Sequence, residues 1–288
     1  MRPELKRSIV AIGTAAVIAT LWSATRPVVG QSPTTTYKAP LTADGQPNLN
    51  GFWQALNTAN WDIEDHRAQR APYHNLVGAY LAQPAGLGVV EGGTIPYKPE
   101  ALAKRKENFE TRLNPDPLSR DVSDPEAKCF GPAPPRGTYL PFPFQIVQSK
   151  NAVFIAYEFA VAPRIIHLGE VDPLMFYGID AWMGQSKGRW ERDTLVVDVH
   201  GFIGKPWLDR AGNFMTETAT LVERYRPISP NHLWYEATIE DPNVFTRPWK
   251  MSMPLYRRME PNMELLEFQC IPFIEEYLYG KYKKPGSQ

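Results

Sequence analysis

From residue 143 to residue 270 the chain is a succession of short strand-like runs, at 143–148, 152–160, 164–168, 193–202, 218–225, 232–240, 247–258 and 263–270. They alternate apolar with polar positions or are dense in Val, Ile, Tyr and Phe. The connectors SKG, DRAGN, PISPN, EDPN and EPN carry turn chemistry. No helical period lies between the runs. The region therefore predicts a mainly β fold, an antiparallel meander that closes as a barrel or, alternatively, folds as a β-sandwich. A parallel α/β enzyme is disfavoured.

The pattern upstream is different. Residues 31–150 hold 15 of the 28 prolines, which predicts a wrapping segment with few regular elements, packed with the β region (151–288) as one unit. One helix is clear: Pro99 at a first helical position precedes EALAKRKENFETRL, with Leu102, Phe109 and Leu113 on a narrow apolar stripe. A second, weaker helix is predicted over 61–70. GLGVVEGG (86–93) superficially resembles a phosphate loop, but it follows Pro84, contains Glu91 and lies in no βαβ unit, so a flexible loop is expected. Gly51-Phe52-Trp53 opens an apolar run, and a Gly-x-Trp at a first strand is what lipocalin-like barrels show. Gly188-Arg189-Trp190 repeats the pattern.

Charge sharpens this picture. The 31 basic and 31 acidic residues balance, yet four bases (Arg2, Lys6, Arg7, Arg26) and one acid (Glu4) precede Gln31. The remainder is mildly acidic, which argues against a nucleic-acid partner. Those early bases flank an uncharged stretch centred on IVAIGTAAVIATLW, the pattern of a secretory signal peptide over 1–30. A periplasmic or secreted protein is expected, with an uncleaved anchor as the alternative. No later stretch is apolar enough to span a membrane. In an oxidising compartment Cys129 and Cys270 most simply form a disulfide.

WMGQSKGRWERDTLVVDVHGF, DRAGNF and YEATIEDPNVFTRPWK resemble a widespread family of exported bacterial proteins of unassigned activity. The resemblance covers most of the chain after the signal segment. It implies an exported, mostly β, lipocalin-like protein and supplies no catalytic residue. Where that family carries a histidine after Asn-Phe, this chain has Met215.

Candidate chemistry is thinner. Gly184-Gln185-Ser186-Lys187-Gly188 matches G-x-S-x-G, but a nucleophile elbow needs a following helix, and a β-type run follows here. A glycine-rich turn is the better reading. The five histidines show no metal-ligand spacing. Asp198 and His200 share a strand face and, joined by His167, could hold a metal; a solvated face is the simpler reading, and no cofactor is expected. Glu158 sits in the apolar run AVFIAYEFA beside Tyr157. A buried carboxylate must pair with a cation, for which Arg164 is the candidate, or keep its proton. Arg247 and Trp249 on one face suit a ligand carboxylate or stacking, and Trp182 suits an aromatic pocket.

These readings predict an exported β-barrel that binds a small apolar or aromatic molecule in an internal pocket. The leading function is metal-independent acid–base catalysis (a lyase, isomerase or hydrolase). Tyr157, Glu158, Asp198 and His200 would move protons; Arg164, His167, Trp182, Arg247 and Trp249 would hold the ligand. The alternatives are a non-catalytic carrier and an assembly partner.

Overall fold

The computed structural model describes residues 37–70, 82–112, 123–159, 162–170, 179–274 and 278; the signal-like segment lies outside them. Nine strands close into a barrel in chain order: β1 (Gly51–Gln54), β2 (Phe144–Gln148), β3 (Ala152–Tyr157), β4 (Ala162–Leu168), β5 (Gln185–Glu191), β6 (Thr194–His200), β7 (Thr220–Ser229), β8 (His232–Glu240) and β9 (Trp249–Arg257). The fold is thus the mainly β, lipocalin-like barrel and not the sandwich. From Tyr37 onward the chain is one compact unit, and β1 and β2 carry the Pro-rich segment into the barrel.

Three expectations need correction. Neighbouring strands are antiparallel except β4 and β5, which run parallel. Parallel neighbours require a crossover, which the chain between Leu168 and Gln185 supplies. Ser186–Gly188, expected as a turn, lies inside β5. A Cβ at Gly188 would meet Ile166 and Leu168 of β4 at 2.8 Å, so this glycine lets two strands approach closely and does not bend the chain. Residues 263–270 form no strand, because β1 already pairs with β9 and closes the sheet.

The closing seam explains the Gly-x-Trp signal. Trp53 pairs with Arg257, whose guanidinium lies 4.2 Å from the indole centroid and donates from Nη1 to Asn50 O at 2.8 Å. Gly51 has φ 136°, and a Cβ there would fall 2.1 Å from Arg257 Nη1. Only glycine fits beneath that arginine.

Outside the sheet lie helix α1 (Pro99–Thr111) and a single turn, α2 (Arg136–Tyr139). Pro99 starts α1 as expected, but the stripe is not its buried face. Leu102 is 51% exposed, whereas Ala101 and Asn108 are buried. Residues 61–70 are not helical; they form turns and the bridges His66↔Gly86 and Gln69↔Gln83. Within the 86–93 segment, residues 89–91 run beside β9, where Glu91 N donates to Lys250 O and Ser252 N to Val89 O, and Gly92 and Gly93 then turn the chain. Pro254, lacking an N–H, falls between this segment and β1 on the same edge of β9.

Alternation places Leu195, Val197 and Val199 of β6, Leu233, Tyr235 and Ile239 of β8, and Met251, Met253 and Leu255 of β9 in the interior, all buried. The outer face is charged. Ion pairs link Arg224 with Glu191 and Glu236, and Lys250 with Glu236 and Glu91. Among the described residues no helix is long and apolar enough to cross a membrane. Cys129 and Cys270 form the expected disulfide, with Cα atoms 5.6 Å apart. Cys270 lies beyond β9, so the bond fastens the segment after the barrel and not a last strand.

Candidate functional site

Among the described residues the barrel interior contains one ion pair. Arg164 of β4 donates through Nη2 to Glu223 of β7 and through Nε to Ser186 Oγ of β5 at 3.0 Å. Tyr225 and Tyr235 hydroxyls donate to Glu223 Oε1 at 3.0 and 2.8 Å. Burial pushes both phenols well up, and the nearby Glu223 charge adds to this. Burial opposes the charge on Arg164, but Glu223 more than offsets it and holds the guanidinium protonated. Tyr157 OH and Arg164 Nη1 are buried without a hydrogen-bond partner among the described residues. Helix α2 seals this end: a Cβ on Gly137 would lie 2.9 Å from the Tyr157 ring, and Thr138 is 1% exposed. Arg164, Ser186, Glu223 and the three tyrosines are all buried from solvent.

The four proton-transfer candidates do not meet. Tyr157 points inward, while Glu158, past the end of β3, accepts from Leu266 N at 2.9 Å. Arg164 pairs with Glu223 and not with Glu158. Asp198 and His200 share the outer face of β6, as alternation requires, but Asp198 pairs with Arg189. Burial lowers the His200 pKa, against the pull of Asp198. His167, Lys187 and Asp198 stand in one row across β4, β5 and β6. Lys187 stands between His167 and Asp198, and among the described residues no group of three His, Cys, Asp or Glu is placed to hold a metal. Ser186 lies inside β5 bound to Arg164, so G-x-S-x-G forms no elbow.

The ligand-binding candidates are dispersed as well. Trp182 stacks on Phe130 at 4.8 Å and donates to Gly131 O. Arg247 is exposed ahead of β9, whereas Trp249 begins β9, is buried and packs on Phe245. Met215 is buried in the core.

A second polar assembly lies outside the barrel. Arg136 of α2 donates to both oxygens of Asp124 (2.7 and 2.9 Å) and to Glu126 (2.6 Å); Arg210 grips Glu126 with two bonds of 2.8 Å. Asn60 joins Arg136 to Glu126. Burial would raise the Glu126 pKa, yet Arg210 and Arg136 together hold it down at about 2. The four charges cancel pairwise. Arg210 also lies 4.4 Å over the Trp61 ring.

The DRAGN turn anchors this assembly. Asp209, fully buried, accepts from Ile63 N, Ala211 N, Asn213 N and Asn213 Nδ2. Burial and the neighbouring Asp62 push its carboxyl up to about 7 against those donors. Because both oxygens already face N–H groups, Asp209 acts as an anchor and not as a proton donor. Arg105 and Asn108 of α1 bind Asn213 Oδ1 and Gly212 O, which is why the helix buries a polar face. Gly212 has φ 85°, and a Cβ there would lie 2.7 Å from Arg105 O.

Above Asp124, Glu126 and Arg210 opens a cleft of about 300 Å³. Phe142, Phe159 and Phe268 form one wall, with ring centroids 5.0 to 5.5 Å apart. Cys270 and Ile271 continue that wall, and Trp61 and Arg112 also line the cleft. No family model matches the chain, and no curated protein matches its sequence. The site rests on its geometry alone. Asp124, Glu126 and Arg136 lie among prolines in a region without periodicity, where no local pattern marks them. Asp209 and Arg210, adjacent in the DRAGN turn, each make their bonds elsewhere.

Proposed function

We propose that this is an exported ligand-binding protein that holds a small, largely apolar or aromatic molecule in the cleft beside the barrel. The observation that carries the reading is the meeting of an aromatic wall, Phe142, Phe159 and Phe268, with a charge lattice whose members already satisfy one another. Such a surface offers apolar contact without an unpaired buried charge, and its volume is at the small end of ligand pockets. Binding fits it better than acid–base catalysis. Glu126, bound twice by Arg210, keeps no proton to donate near neutral pH, and Tyr157, Glu158 and the Asp198–His200 pair stand in three separate places. The disulfide and the signal-like segment support an extracytoplasmic location.

Two measurements test this. Native mass spectrometry of protein purified from its own host should show a retained small molecule. Titration with naphthalene-2-carboxamide should saturate, with Phe268→Ala weakening binding at least about fivefold, the loss expected for one buried aromatic contact. Absence of both retained ligand and saturable binding would overturn the reading.

A further inference from the structure

The charge around the cleft does not balance. Asp124 and Glu126 are its acids, and both are consumed by Arg136 behind the wall and Arg210 at its edge. Two further guanidiniums line the same cleft, those of Arg70 and Arg112. Among the described residues neither makes a salt bridge. Arg112 lies over the Phe109 ring at 3.9 Å and donates only to Phe109 O. Arg70 follows Gln69, whose backbone exchanges two hydrogen bonds with Gln83 at 2.9 and 3.0 Å, so the rim beside it is fixed. Four guanidiniums therefore surround two carboxylates, on a protein that is mildly acidic once the basic signal-like segment is set aside.

We infer that the cleft selects an anionic ligand: an aromatic or apolar acid whose ring lies on Phe142, Phe159 and Phe268 and whose carboxylate is taken by Arg112 and Arg70. The inference rests on the cleft being the ligand site and adds the charge of what it takes. Guanidinium suits the task because its planar donors match a carboxylate and stay charged at every working pH. A cationic ligand would face two guanidiniums that hold no carboxylate in a salt bridge among the described residues, Arg112 feeling Asp124 only at longer range. A neutral one would leave Arg112, which is half-buried, with no salt-bridged acid among the described residues.

The test compares two probes of nearly equal shape, naphthalene-2-carboxylate and naphthalene-2-carboxamide, by calorimetric titration of the full chain. The carboxylate is expected to bind at least about tenfold tighter at low salt, and the advantage should shrink between 50 and 300 mM salt, roughly as screening between exposed charges predicts. Arg112→Gln with Arg70→Gln should abolish the preference, so that within this variant the carboxylate and the carboxamide bind with equal affinity. Arg70→Gln alone, at an exposed position that cannot unfold the protein, should cost the carboxylate about threefold. Equal binding of the two probes to the unaltered protein would overturn the anion preference while leaving the cleft as the site. Undiminished carboxylate binding by the double variant would overturn the role of these arginines. Failure of both probes to bind would remove the cleft reading as well.

Discussion

The barrel interior and the loop layer outside it each hold arginines bound to carboxylates, yet they are built on different terms. Inside, one pair, Arg164 and Glu223, carries the whole charge load, with Ser186 and two tyrosines as its neutral support. Outside, Glu126 has Arg136, Arg210 and Asn60, and Arg136 has Asp124, Glu126 and Asn60, so these two central members keep a partner when one is lost. The interior is sealed and the outer lattice borders a cleft. A lone buried pair stabilises only while both members are present; a redundant lattice tolerates loss and can face a ligand. Helix α2 joins the two, with Arg136 in the lattice and Gly137 against Tyr157.

Removing one charge from the interior should separate the regions most strongly. Arg164→Met leaves Glu223 buried without a cation and is expected to cost about 3–5 kcal/mol, read as a lowered urea midpoint. Arg164→Met combined with Glu223→Leu should recover most of that loss. If the double variant is as unstable as the single one, the interior pair is not the isolated unit described here.

Next in size is the disulfide. Cys129→Ser with Cys270→Ser is expected to cost about 2–4 kcal/mol by chain-entropy reasoning. The loss should fall on the outer layer first, because the segment after β9 is otherwise held by few bonds, among them Leu266 N to Glu158 and Phe273 N to Ala127 O. Cleft binding should weaken at least about tenfold while the barrel's aromatic circular dichroism persists. Simultaneous loss of both signals would make the two regions one cooperative unit.

Acid–base titration of stability should read the outer layer, where the two carboxyls with the most displaced titration lie. Asp209, raised to about 7 by burial and by Asp62, favours the folded state at low pH, a contribution lost as pH rises from about 4 to 7. Glu126, held at about 2, contributes stability that is complete above about 4.5 and lost as pH falls toward 2. Thermal midpoints should therefore be higher near pH 5 than at pH 8, with a slope of at most about 1.4 kcal/mol per pH unit for one proton. Asp62→Asn should flatten that difference. The smallest effect is expected for Arg210→Gln, about 1 kcal/mol, since Arg136 and Asn60 remain on Glu126.

The strands were legible wherever alternation is strong, as in HLWYEATIE and DTLVVDVHGF, and Pro99 and the two cysteines were read correctly. Local rules failed where a distant partner decided the outcome. Gly188 reads as a turn residue until β4 lies beside it. Glu158 is the nearer acid to Arg164 in sequence, but Glu223 stands between inward Leu221 and Tyr225 in TATLVERY, a signal that alternation offered and that went unused. The lattice was hidden for a different reason. Asn60, Asp124, Glu126 and Arg136 lie in irregular chain, where no period shows which side chains converge.

The seam at Trp53 and Arg257 also bears on how the protein is made. Arg257 donates to Asn50, 207 positions away in the chain, so β1 emerges first and waits for β9 before its free edge is covered. Contacts of such span are slow to form, because loop closure is paid before any pairing rewards it. Until then a strand edge stays open to other chains. The glycine and tryptophan of the first strand therefore act as a receptor for an arginine that arrives last, and their fit sets the step at which an exposed ribbon becomes a closed one.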